Sequence, residues 1–204
     1  MPNVLPITCM VWNIQGTGSR KKIAALKEVI KTCKPTVIAL VETHMGGQHV
    51  EKIRKTISYN GHCRVDATGF SGGIWLYWRP EIVNVVPVYE HSQFITVEVS
   101  RTGEVPSFFT AVYASPDPTN RRELWFELEN FAHTNSCPWM LAGDFNETRS
   151  LSKRYGGNSS MAKRCENFDN WIENCELIEL EFAGPSYTWA QGNSLETRQS
   201  ARLD

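Results

Sequence analysis

Asn13, Glu42, Tyr113, Asp144 and Asn146 each fall at or just past the C-terminal end of an apolar, strand-like run, and that edge is where α/β sheets place their ligands. Taken singly, each has an ordinary structural role. Asn13 and Asn146 suit turns, Asp144 an Asx turn or helix cap, Glu42 a solvated loop, and Tyr113 a core ring with a wet hydroxyl. Taken together they specify a chemistry. A hard cation such as Mg²⁺ takes oxygen ligands, keeps several waters and binds through one or two carboxylates plus substrate phosphate, so Glu42 with Asn13 beside it is a sufficient anchor. Asp144, two residues before Asn146, suits the orientation or deprotonation of a water, while the Asn146 amide suits an attacking or phosphate oxygen. In-line phosphodiester hydrolysis needs that combination, and Tyr113 offers a hydroxyl to the same phosphate.

These residues need a sheet to carry them. Ile7 to Ile14 reads as a strand, broken by Gly16-Thr17-Gly18 before a helix with Ile23, Leu26, Ile30 and Cys33 on one face and Pro35 as its stop. Val37 to Val41 is a short buried run that delivers Glu42. Val50, Ile53 and Ile57 suggest a second helix, and Ile74 to Trp78, Ile82 to Tyr89 and Phe94 to Val99 form an extended meander in which Pro87 marks an edge or bulged strand. Phe108 to Tyr113 is another strand. Thr119 or Asn120 then caps a helix carrying Leu124, Leu128 and Phe131, and Trp139 to Ala142 returns to strand and presents Asp144. Phe168, Trp171, Ile172 and Cys175 mark a last helix, Ile178, Leu180 and Phe182 alternate as in a strand, and Tyr187 to Trp189 and Arg202 to Asp204 are short extended pieces. Helices alternating with strands around a meander predict α/β layers with a mixed sheet or two packed sheets and helices outside.

Composition limits the partners. The 204 residues carry 21 Lys+Arg against 22 Asp+Glu, so any nucleic acid must be met by a local cleft and not by whole-molecule attraction. No internal repeat or linker divides the chain, and a single domain over residues 1–204 is expected. The six cysteines lack the close pairs of a zinc site and read as buried free thiols. No leader opens the chain and no apolar run approaches the roughly 20 residues that span a bilayer, so an intracellular protein, nuclear or cytoplasmic, with no membrane partner is expected.

Val11-Trp12-Asn13-Ile14-Gln15-Gly16, Val41-Glu42-Thr43, Ala111-Val112-Tyr113, Ala142-Gly143-Asp144-Phe145-Asn146 and Arg202-Leu203-Asp204 occur in an order and spacing that resembles the endonuclease/exonuclease/phosphatase superfamily. Val112-Tyr113-Ala114-Ser115-Pro116, Leu124-Trp125, Pro138-Trp139 through Glu147 and Gly184-Pro185-Ser186-Tyr187-Thr188-Trp189 look like the endonuclease domain of plant LINE-type (non-LTR) retrotransposons. The resemblance implies a four-layered αββα sandwich and a Mg²⁺-dependent site, with Mn²⁺ as the alternative ion, that nicks DNA. It implies Glu42 and Asn13 at the metal, Asp144 and Asn146 as the water-orienting pair, Tyr113 on the phosphate, and Asp204 as the acid that holds a catalytic histidine. Gln15 and Pro116 depart from the pattern, standing where many members carry an acid and an asparagine. The final Ser-Asp-His segment is absent, so a sandwich lacking its last strands, incomplete at the C-terminus and weakly active or inactive, is expected.

His44 and His49 read as solvated loop residues without a third ligand. Trp189 is the candidate for stacking on a base, and the stretch Arg149 to Arg164 reads as a surface loop that meets a DNA backbone or plain solvent. The functional expectations are therefore a retroelement-type DNA endonuclease, a same-fold exonuclease or phosphatase with another phosphoester substrate, or a non-catalytic retroelement-derived fragment that binds metal or nucleic acid. DNA binding is expected to be weak and salt-dependent.

Overall fold

The computed structural model describes residues 6–67, 69, 71–156, 161–192 and 198–203. They divide into two compact units, one formed by the chain up to Tyr113 with Cys137–Gly143, the other by Ala114–Ser136 with Asp144 onward.

The first unit contains β1 (Cys9–Asn13), α1 (Arg20–Cys33), β2 (Val37–Val41), α2 (Gln48–Ile57), β3 (Gly61–Val65), β4 (Ile74–Trp78), β5 (Asn84–His91), β6 (Phe94–Ser100), β7 (Ser107–Tyr113) and the body of β8 (Trp139–Asp144). One sheet has the order β1-β2-β4-β3, with β1 parallel to β2 and the other pairs antiparallel. The other has the order β5-β6-β7-β8. Its first three strands are antiparallel, whereas Phe108 N donates to Pro138 O and Ala114 N to Asp144 O at the same offset, which makes β7 and β8 parallel.

Side-chain alternation explains the layers. In β2 and β4 every residue is buried. Val37, Ala39, Val41, Ile74, Leu76 and Trp78 face Ile95, Val97, Phe109 and Ala111 of the second sheet. Ile38, Leu40, Trp75 and Tyr77 face Leu26 and Ile30 of α1 and Val50, Ile53 and Ile57 of α2. A strand buried on both faces reads as a continuous apolar run, and each such side chain contributes about 1.5–3 kcal/mol of burial. The helix α1 ends where Lys34 turns left-handed (φ 46°) and its N–H bonds Ile30 O, with Pro35 preventing continuation.

The second unit holds α3 (Pro118–Thr134), a 3₁₀ turn at Leu151–Lys153, β9 (Arg154–Tyr155), α4 (Met161–Asn174), β10 (Trp189–Gln191) and β11 (Gln199–Ala201). Trp125 of α3 packs on Trp171 and Phe168 of α4, with ring centroids 4.7 and 5.2 Å apart, and Trp171 Nε1 donates to Trp125 O. The three short strands make a small antiparallel sheet, β10-β11-β9.

The α/β class with two mixed sheets and flanking helices agrees with expectation, and so does Pro87, which lies at a register shift on the edge strand β5. Four local expectations are corrected. The cap of α3 is Asp117, whose side chain accepts from Thr119 N at 2.8 Å, with Pro118 at the first helical position. The alternating segment Ile178–Phe182 forms no strand. No strand pairs with it among the described residues, and Ile178 is 82% exposed. The last short strands are displaced to Trp189–Gln191 and Gln199–Ala201, and Cys33 is an exposed thiol while Cys165 and Cys175 are buried.

Candidate active site

Parallel pairing of β1 with β2 puts Asn13 opposite Val41, so Glu42 leaves the sheet at the edge where Asn13 ends β1. Asn13 Oδ1 accepts from Gln15 N at 3.2 Å, an Asx turn that brings Gln15 to a left-handed φ of 47°. The neighbouring turn is stitched to it, with Ile14 N on Val41 O and Gly16 N on Glu42 O. Glu42 and His44 are both left-handed (φ 57° and 56°). His44 is not a free loop histidine: its Nε2 lies 3.2 Å from Glu42 Oε1, and both side chains are partly shielded. His49 is exposed in the first turn of α2.

Tyr113 closes this group. It is buried at the end of β7, and its N–H donates to Gln93 O. A Cβ added to Gly72 would stand 4.0 Å from Tyr113 Cε1, and Gly72 O accepts the His44 N–H. Asn13, Glu42 and His44 are therefore linked within the first unit by strand register and a shared turn, and Tyr113 stands near Gly72 of that turn's partner segment.

The second unit carries the other group. Asp144, the last residue of β8, accepts from Asn146 N through Oδ1 at 3.0 Å, and Asn146 is left-handed (φ 49°). This repeats the Asn13–Gln15 device at another strand end. Asn146 Nδ2 donates to Ala114 O at 2.7 Å, which fixes the amide. Phe145 N donates to Leu203 O, and Leu203 N to Thr188 Oγ1, so the half-buried Trp189 begins a strand tied to the Asp144–Asn146 turn. Asp204 lies outside the described residues.

Behind that turn is a network that the sequence reading missed. Arg121, 1% exposed, donates to Glu147 Oε1 and to the carbonyls of Ser115 and Pro116. Arg164 donates to the same Glu147 oxygen at 3.0 Å and to Asn146 O at 3.4 Å. Burial pulls the Arg121 guanidinium below its ordinary value, and Glu147 works against that shift, so the side chain stays charged. One signal was available: Arg121 shares a helix face with the buried Leu124 and Leu128. Within the basic stretch, Arg149 pairs with Asp169, Lys153 with Glu179 and Arg164 with Glu147. These three cations are engaged with acids.

The donor set decides which metal fits. The described residues contain no group of three or more His, Cys, Asp or Glu that would cage a soft or borderline ion. A carboxylate with an amide oxygen beside it suits a hard cation that keeps its waters and shares a substrate phosphate, so Glu42 and Asn13 fit Mg²⁺. No helix among the described residues is long and apolar enough to cross a membrane.

A sequence model of the Endonuclease/Exonuclease/phosphatase family matches residues 10–200. Curated proteins give no match. Among solved structures, the chain is similar to the endonuclease domain of TRAS1, a telomere-specific non-LTR retrotransposon, with a TM-score of 0.68 at 12% identity over 97% of this chain and 83% of that one. It is also similar to an AP endonuclease from Archaeoglobus fulgidus (TM-score 0.61, 12% identity, 84% of this chain and 70% of that one). The AP endonuclease LMAP from Leishmania major gives a TM-score of 0.59 at 16% identity, over 81% of this chain and 65% of that one, so the chain spans just under two thirds of that enzyme. At these identities the likeness is one of fold.

Proposed function

Because the chain belongs to the endonuclease/exonuclease/phosphatase family, we propose that it is a Mg²⁺-dependent phosphodiesterase acting on DNA, of the retrotransposon-endonuclease type and of plant LINE ancestry. The observation that carries this reading is the pairing of Asn13 with Val41, which sets Glu42 and Asn13 at one strand edge as oxygen donors. A single domain spanning both units belongs to the proposal and is supported by a family match that crosses them. So does a place inside the cell, in nucleus or cytoplasm.

Glu42 and Asn13 would hold the ion, with Mn²⁺ able to substitute. When bound, Mg²⁺ supplies charge neutralisation at the phosphate and polarises its oxygens. Asp144 orients a water and takes its proton as the water oxygen bonds to phosphorus and a P–O ester bond breaks; the leaving oxygen is protonated by solvent. The Asn146 amide and the Tyr113 hydroxyl donate to phosphate oxygens. Trp189 is assigned to base stacking and Asp204 to orienting a histidine.

A second reading is a weakly active domain, or a non-catalytic one that binds metal or nucleic acid. A phosphoester substrate other than DNA, cleaved by an exonuclease or phosphatase of the same fold, is the remaining alternative. Supercoiled plasmid with Mg²⁺ tests all three. Nicking that disappears with EDTA, Glu42→Gln and Asp144→Ala is expected for the first reading. Metal or DNA binding without nicking supports the second, and inositol phosphate hydrolysis without nicking overturns the DNA reading.

A further inference from the structure

We propose that Arg121 and Glu147 form a latch that positions the Asp144–Asn146 turn for catalysis. The inference rests on the roles given above to Asp144 and Asn146 and adds two positioning residues behind them.

The latch joins two chain segments that leave neighbouring strands. Ala114, Ser115 and Pro116 follow β7, and Phe145, Asn146 and Glu147 follow β8. Arg121 reaches back from the first turns of α3 to the carbonyls of Ser115 and Pro116, and across to Glu147. Asn146 Nδ2 and Asp144 O both bond the backbone of Ala114. Arg164, held on Glu147 by its Nε, meets Asn146 O with Nη2. Every polar handle of Asn146 described here is therefore met by the turn, by the segment after β7, or by an arginine that Glu147 holds.

Stability alone is a poor reason for this arrangement. Glu147 is buried, Arg121 is 1% exposed, and Arg121 Nε has no hydrogen-bond partner among the described residues. Well-packed apolar side chains at such places often stabilise as well as an ion pair does, so a buried pair that leaves one N–H unsatisfied is better explained by the geometry it imposes. That geometry is specific: a left-handed asparagine whose amide is aimed by a carbonyl 32 positions away in sequence. Glutamine at 147 keeps the size of the side chain but removes the charge that holds both arginines.

The test compares wild type with Glu147→Gln by amide hydrogen exchange and by Mg²⁺-dependent plasmid nicking, well below either unfolding midpoint. The expected result is exchange at least fivefold faster in peptides covering residues 144–148, with peptides of the first unit within twofold. The kcat is expected to fall at least fivefold while KM stays within twofold. A change below fivefold in the exchange or in kcat, or a loss carried by KM, overturns the proposal. If Glu147→Gln does not fold, Arg121→Lys is judged by the same criteria. Wild type that does not nick, or nicking that survives Asp144→Ala, overturns the site assignment itself; the exchange comparison then still decides whether the latch holds the turn.

Discussion

His44 Nε2 lies 3.2 Å from Glu42 Oε1 across a turn in which both residues are left-handed. The imidazole fixes one oxygen of the carboxylate assigned to the metal, and the turn is held by Gly72 O and Gly73 O from the opposite side. Partners behind a metal ligand commonly set affinity by about 10–100-fold.

His44→Ala is accordingly expected to weaken Mn²⁺ binding, followed by electron paramagnetic resonance, by about tenfold. Glu42→Gln should abolish the rise in thermal midpoint that Mg²⁺ gives wild type. Unchanged Mn²⁺ affinity in His44→Ala would remove the imidazole from the metal site.

Gly143 has φ 150°, and a Cβ there would stand 2.0 Å from Val112 O. A backbone oxygen in a sheet cannot swing aside as a flexible side chain would. Gly143→Ala should cost on the order of 3 kcal/mol or more, read as a lower urea midpoint. An unchanged midpoint would mean that β7 and β8 can separate freely at this point.

Loss of Arg121 leaves buried Glu147 with one cation, Arg164, in place of two, and breaking a buried pair costs up to about 3–5 kcal/mol. Arg121→Met should therefore destabilise the fold strongly, and Arg121→Met with Glu147→Leu much less, because the pair is then replaced by apolar volume. Equal loss in the single and double variants contradicts this.

Burial pushes the Cys9 thiol up to about 11, and the Cys63 and Cys175 thiols up to about 12, from an ordinary 9.0, with Glu90 adding to the Cys63 shift and Glu129 to the Cys175 shift. A raised thiol pKa keeps the neutral form, and the thiolate is the nucleophile. At pH 8 iodoacetamide should label the exposed Cys33 well ahead of these three, as followed by peptide mass spectrometry. The folded state holds these protons more tightly than the unfolded state, so the three thiols should lower stability as pH rises from 9.0 towards about 12. Equal labelling of Cys33 and Cys63 in the native protein defeats the prediction.

Arg149 pairs with Asp169 and Lys153 with Glu179, so these two cations of the loop are already engaged with acids. Binding should be weak, in the ~10⁻⁴–10⁻⁶ M range of non-specific complexes, and should fall with salt. Trp189→Ala should cost about 1–3 kcal/mol of affinity for single-stranded DNA if the ring stacks on a base. Fluorescence anisotropy over a salt series measures both, and wild-type affinity in Trp189→Ala would remove the ring from the DNA contact.

Burial on two faces made β2 and β4 legible, since Val37–Val41 and Ile74–Trp78 are unbroken apolar runs. The strand β3 escaped notice because His62 and Arg64 interrupt its apolar pattern, and pairing with β4 makes it a strand. Ile178–Phe182 shows the converse: strand-like alternation without a partner strand among the described residues gives no strand. In the candidate site, Asn13, Glu42 and Asp144 stood out because each ends an apolar run. The pairing of His44 with Glu42 depends on two left-handed residues, and the Arg121–Glu147 contact joins positions far apart in sequence. Periodicity and composition encode neither.

The Asx turns at Asn13 and Asp144 have a thermodynamic corollary. In each, one side-chain oxygen is already committed to the main chain two residues on, so the rotamer is chosen during folding and not on encounter with a ligand. Immobilising a flexible side chain at an interface costs about 0.5–1.5 kcal/mol, and for these two positions that entropy is lost before any substrate arrives. The same commitment makes the two oxygens of the Asp144 carboxylate inequivalent, since Oδ1 already accepts the Asn146 N–H.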